Sequence, residues 1–123
     1  MSHELSQLPP QVQERLLRLQ QLQQTLQSVL AQKQQVDMEK TEVEQTVAEL
    51  QKTADDAVVY KAAGSLLIKT EKAKVTEELN EKKEMLDTRS AVLARQEERL
   101  RTQAKEAQTK LQEDLRPVSP SSK

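Results

Sequence analysis

The chain reads as a mainly α protein: two long helices folded back into an antiparallel coiled coil, with a single β-hairpin at the connecting end. Three observations predict this. Apolar residues recur every seven positions over two long stretches that contain neither Pro nor Gly. The only Gly and the only Tyr fall together between those stretches, in DDAVVYKAAGSLLIK at positions 55–69, a run rich in β-branched and aliphatic residues. The composition, 32% charged with no Trp, Phe or Cys in 123 residues, is that of long helices rather than of a compact globule. High charge and few aromatics also suit a disordered chain, but the regular heptads argue against that.

Pro9-Pro10 opens the first helix, where the missing proline N–H has no intrahelical partner to lose. From residue 9 to 52 two stripes repeat: Val12, Leu19, Leu26, Lys33, Lys40, Val47, and Leu22, Val29, Val36, Val43, Leu50. They stand three apart, as a and d positions do. Lys33 and Lys40 weaken the first stripe, although their stems can lie over a partner while the ammonium groups stay wet.

The connector predicts a hairpin over 57–69. Val58-Val59-Tyr60 and Leu66-Leu67-Ile68 supply the strands, and Ala62-Ala63-Gly64 forms a three-residue loop with Gly64 in the left-handed region. Asp55-Asp56 before it reads as a polar turn rather than as a metal or acid–base pair. The second helix is expected over 71–115, with Thr70 as N-cap and a thinner seam of Leu79, Leu86, Leu93, Leu100 and Ala107, flanked by Val75, Ala104 and Leu111. Met85 and Val92 lie beside that seam. Glu97-Glu98 form a solvated face, with Glu98 near Arg101. Pro117 and Pro120 end the helix. Residues 1–8 are expected to be a flexible start and 117–123 a disordered tail.

Each helix would span about 65 Å at 1.5 Å per residue. Equal lengths and a short connector set them antiparallel rather than as one long helix in a parallel dimer. The register places Leu50 near Val75, Val47 near Leu79, Leu26 near Leu100, Leu19 near Ala107 and Val12 near Leu115. Both chain ends then meet at one tip.

A lone two-stranded hairpin is marginal in water, and this one is apolar on both faces with two unpaired edges. The sequence therefore predicts an obligate oligomer built through residues 57–69, with Val58, Val59, Tyr60, Gly64, Leu66, Leu67 and Ile68 as the joining element.

Other functions find little support. There is no Cys nucleophile, one His near the start, and too little Gly for a phosphate loop, so neither a catalytic residue, a metal site nor a cofactor is expected. A net charge of -1 with interspersed signs offers no field for nucleic acid or an anionic membrane. With no apolar run of membrane length and no basic, apolar leader, a cytoplasmic protein is expected. A passive coiled-coil spacer explains the heptads equally well but leaves the hairpin without a purpose.

The DDAVVYKAAGSLLIKT hairpin and RQEERL at 95–100 resemble the β-class subunit of prefoldin, most closely its archaeal form, and LPPQVQ at the start, QQLQQ at 20–24 and AQKQQV at 31–36 fit too. The resemblance covers about residues 8–116. It implies a jellyfish-like complex in which two α-class and four β-class subunits pool their hairpins into a double β-barrel carrying six coiled-coil arms. It also implies an ATP-independent holdase that captures unfolded polypeptides at the arm tips and passes them to a group II chaperonin. The tips would carry Leu8, Val12, Leu16, Leu17 and Leu19 from the first helix, with Leu111, Leu115 and Val118 from the second. Adjacent Leu16 and Leu17 point in different directions, and exposed apolar area without a fixed partner suits many clients. Val12, Leu16, Leu19 and Leu115 could equally zip the last turns together. Leu8 and Leu17 are expected in solvent.

Overall fold

A computed structural model of the chain describes residues 7–116. The elements are α1 (Pro10–Gln51), β1 (Val59–Ala63), β2 (Leu66–Thr70) and α2 (Lys72–Leu115). The fold is thus two long helices joined by an antiparallel hairpin. It divides into two compact units: residues 1–31 with 94–123, and residues 32–93. The expected flexible start and tail fall outside the described residues, apart from Gln7 and Leu8, which are placed.

The helix ends follow from their sequence. Gln13 N–H donates to the Pro9 carbonyl at 3.1 Å, so Pro10 is the first helical residue and loses nothing. No glycine caps the other end of α1. Its last turn tightens instead, with Lys52 N–H donating to Glu49 and Thr53 N–H to Leu50, and the Thr53 hydroxyl returns to the Leu50 carbonyl at 2.6 Å. At the start of α2 the Glu71 carbonyl accepts from Val75 N–H. Glu71 therefore occupies the cap position, and Thr70, the expected cap, is the last residue of β2. Strand pairing claims Thr70, whose partner is Val59.

In the unit formed by residues 32–93, Val36, Val43 and Leu50 of α1 and Leu86 and Leu93 of α2 are buried. The other unit buries Val12, Leu19, Leu22, Val29 and Leu111. The second heptad stripe of α1 is therefore the deeper one: all five of its members are buried, whereas Leu26, Lys33, Lys40 and Val47 of the first are half-buried. Two facing helices cannot surround a side chain, and among the described residues none is fully enclosed and no polar group is buried.

Cross-helix ion pairs confirm the antiparallel direction within the 32–93 unit. Lys40 Nζ meets Asp87 Oδ1 at 2.8 Å, and Lys83 Nζ lies 3.8 Å from Glu44. The hydrogen bond from Lys40 holds the Asp87 carboxyl below its ordinary value of 3.8, against a smaller opposing effect of desolvation. The same bond raises Lys40 above 10.5. A carboxyl with a depressed folded-state pKa stabilises above its unfolded pKa and loses that contribution as pH falls through the folded value. A raised lysine loses its contribution as pH climbs past 10.5. Thermal denaturation should therefore show Asp87→Asn melting below the parent near neutrality. The gap should close as pH drops below 3.8.

Of the expected solvated pair only Glu98 is exposed: Glu97 is half-buried and accepts from Arg101 at 2.8 Å, since an i,i+4 spacing aligns the two side chains better than the expected i,i+3.

Candidate interaction surfaces

The hairpin is the first surface. β1 and β2 pair as Val59↔Thr70, Tyr60↔Lys69, Lys61↔Ile68, Ala62↔Leu67 and Ala63↔Leu66. The loop is thus the two residues Gly64-Ser65, not the expected three-residue Ala62-Ala63-Gly64. Gly64 alone among the described residues has positive φ, at 61°, in the first central position. That is the type II′ arrangement, whose twist matches that of the flanking strands and lets the ladder run through Ala63. A Cβ at Gly64 would meet nothing within 4 Å, so the cost of Gly64→Ala is backbone strain alone. We expect a penalty of about 1 kcal/mol. Amide exchange of the β1 and β2 residues should accelerate about fivefold in consequence.

Alternation puts Val59, Lys61, Ala63, Leu66, Ile68 and Thr70 on one face, and Tyr60, Ala62, Leu67 and Lys69 on the other. Both faces are open. Val58, Tyr60, Leu66 and Ile68 are exposed, Leu67 is 73% exposed, and only the pair Val59 and Thr70 at the base of the strands is half-buried. Lys61 Nζ bonds Glu78 of α2 at 3.0 Å, tying the first face to the helix that follows. At the base, Lys72 Nζ donates to the Thr53 carbonyl at 2.7 Å and to Asp55 at 3.3 Å. A cation thereby sits just beyond the C-terminal end of α1, where the helix dipole favours it. Asp55 is part of this polar junction.

The second surface lies where the ends of the helices meet. Val12, Leu19 and Leu111 form a buried cluster, with Leu8, Leu16, Ala104 and Ala107 partly buried against it. Arg15 clamps the cluster from outside: Nη1 lies 2.6 Å from Asp114 Oδ2 and donates to the Lys110 carbonyl at 3.3 Å. Leu111 is 9% exposed and Leu115 54% exposed. The expected Val12–Leu115 pairing is thus replaced: Leu111, one turn earlier, faces Val12 and Leu19, and Leu115 turns outward. Leu17 stands in solvent as expected, at 59% exposure. Leu8 does not. It folds onto the first turn of α1, where Gln13 Nε2 donates to its carbonyl at 2.7 Å. Val118 lies outside the described residues. Arg15 was not singled out from sequence, although the register that sets Leu19 against Ala107 already places it opposite the last turn of α2.

The family model described as "Prefoldin subunit" matches residues 13–117, nearly all of both helices and the hairpin between them. The chain belongs to the prefoldin subunit family. Among relatives, the prefoldin subunit beta of Archaeoglobus fulgidus is 49% identical over 113 residues, covering 92% of this chain and 97% of the relative. That of Thermococcus onnurineus is 46% identical over 112 residues, covering 91% and 97%. The crystal structure of the prefoldin beta subunit from Thermococcus strain KS-1 superposes with a TM-score of 0.82 at 46% identity, covering 89% of this chain and 96% of that one. Prefoldin subunits are chaperone subunits with coiled-coil helices, and their helix–hairpin–helix architecture is the one described above. No described helix is long and apolar enough to cross a membrane.

Proposed function

We propose that this chain is a β-class subunit of a cytoplasmic, ATP-independent holdase. Its hairpin joins those of two α-class subunits and further β-class copies, four β in all, in a shared β-barrel. Its helix ends bind unfolded polypeptides and deliver them to a group II chaperonin. The observation that carries this reading is the hairpin itself: in a chain of this family, four large apolar side chains at Tyr60, Leu66, Leu67 and Ile68 stand exposed on the faces of a two-stranded sheet, with Val58, expected in the first strand, exposed just before it. A ribbon of that kind gains stability when other strands cover it.

The helix ends support the client-binding half. Val12, Leu19 and Leu111 build the buried base, and Leu8 and Leu16 pack on it. Leu17 and Leu115 then offer apolar surface without a partner in this chain. Such contacts are weak singly and gain avidity when several arms engage one client. The test is suppression of aggregation of a chemically denatured client, without ATP, by the chain assembled with an α-class subunit. Removal of residues 1–17 and 112–123 should abolish suppression while leaving assembly intact. Undiminished suppression after that truncation refutes the tip mechanism, and no suppression by the intact complex leaves a structural coiled-coil spacer as the reading.

A further inference from the structure

From Leu19 to Gln32 the first helix carries no charged residue, in a chain that is 32% charged. Solvent-facing helix positions are ordinarily filled by Glu, Lys and Arg, which suit a helix as well as Gln does. The outer side of α1 instead presents Leu17, Gln20, Gln24, Gln27 and Ala31. All five are exposed, and they stand alternately three and four apart, so they form one stripe along the helix. In the same compact unit α2 is built the other way, with Arg95, Glu98, Arg99 and Arg101 exposed. Accepting the client binding proposed above, we infer that the stripe on α1 is a track for an extended client segment. The segment runs inward from Leu17 and is held through its backbone by the glutamine amides.

The chemistry of the stripe fits an unfolded chain. Such a chain presents backbone N–H and C=O groups along its whole length that no secondary structure has paired. A glutamine amide offers an acceptor oxygen and a donor NH2, so it matches either group whatever side chains the client carries. Covering an amide that gains a hydrogen bond costs little, whereas covering an unpaired ammonium or carboxylate costs far more. The charged side of α2 therefore repels or selects clients by their charge, and the neutral side of α1 accepts them alike. Leu17, at 59% exposure, belongs both to the helix ends and to the stripe, so the track continues the client surface already proposed. From Leu17 to Ala31 it runs about 21 Å at 1.5 Å per residue, the length of about six residues of extended chain.

A further helix, such as the arm of a second copy, fits the stripe poorly. The alternating spacing is that of a coiled-coil seam, but a seam closes on apolar knobs, and Leu17 is the one large apolar side chain of the five. A helical partner has also paired its own backbone groups, so the amides of Gln20, Gln24 and Gln27 gain nothing from it. The occupant that uses both the neutrality and the amides is an extended segment without secondary structure.

The test charges the stripe without unfolding the helix. The full chain, assembled with an α-class subunit, is compared with a variant combining Gln20→Glu, Gln24→Lys, Gln27→Glu and Ala31→Lys. Net charge is unchanged, and each new Glu stands four residues before a new Lys, an order that favours the helix. Leu17 and the buried cluster are untouched. The melting temperature should hold, while about tenfold more of the variant complex is needed for half-suppression of aggregation of a denatured client. A second measurement needs only single replacements. Gln24, Arg99 or Leu17 is replaced by p-benzoylphenylalanine and the complex is irradiated with the same client. Position 24 should capture about fivefold more denatured client than position 99, and little of the client in its folded form. Undiminished suppression by the charged variant overturns the inference, as does equal capture from positions 24 and 99 or equal capture of folded client. Capture at position 17 without capture at 24 overturns the track alone. Capture at neither overturns the client binding on which the track rests.

Discussion

Leu67→Asp should leave the chain helical by circular dichroism and abolish its assembly with α-class subunits, measured by native mass spectrometry. Leu67 is the most exposed of the large apolar side chains on the hairpin, so the substitution removes no contact that stabilises the isolated chain. It sits opposite Ala62, on the face shared with Tyr60, and covering that face takes the new carboxylate out of water. Burying an unpaired carboxylate costs several kcal/mol. Even about 3 kcal/mol, well below the full penalty, weakens association about 100-fold. Leu67→Ala, which only shrinks the apolar contact, should lose far less. Equal assembly by the Asp and Ala variants would mean that this face stays in water in the complex.

The double substitution Leu17→Ser and Leu115→Ser should act on clients and spare assembly. Both side chains are more than half exposed and stand apart from the buried Val12–Leu19–Leu111 cluster, so the helix ends keep their packing. Each leucine loses about 1 kcal/mol of apolar contact with a bound client, about half the value of full burial. Repetition of that loss over several arms engaging one polypeptide multiplies the effect. About tenfold more complex should then be needed for half-suppression of client aggregation. Leu111→Ser provides the contrast. It opens the buried cluster, and its first consequence should be a lower melting temperature, at a cost of about 2–3 kcal/mol. A double Ser variant as active as the parent would place client contacts elsewhere on the chain.

Much of this was legible in the residues. Heptad recurrence revealed both long helices, because an amphipathic stripe has only one period at which it can close a seam. The burial of Leu22, Val29, Val36, Val43 and Leu50 follows from the same spacing. The hairpin was visible as a β-branched, aliphatic island with the lone glycine inside it. Its exposure was foreseeable too, since two helices have no third layer with which to cover it.

The misread details all depend on relative phase rather than on residue type. Whether Leu111 or Leu115 faces Val12 turns on how far α2 is rotated and shifted against α1 at its last turns. Both residues are leucine, four apart, and local pattern cannot choose between them. Arg15 helps to decide it, reaching Asp114 and the Lys110 carbonyl and so holding the last turn with Leu111 inward. Leu8 stands two heptads before Leu22, on the deeper stripe continued backward through Arg15, and the folded helix start gives it an apolar surface.

What the sequence by itself determined is therefore the inventory: two matched helices, one hairpin, and apolar side chains in excess of what two helices can bury. Periodicity and composition are properties of the chain, and they survive any choice of register. The tertiary structure decided which of those side chains remain open. It moved the loop to Gly64-Ser65, because pairing through Ala63 adds a rung to the ladder and the positive φ of glycine fits the first position of the turn. It put Leu111 inside and Leu115 outside, because a seam between two helices admits only the side chain whose phase matches the facing groove.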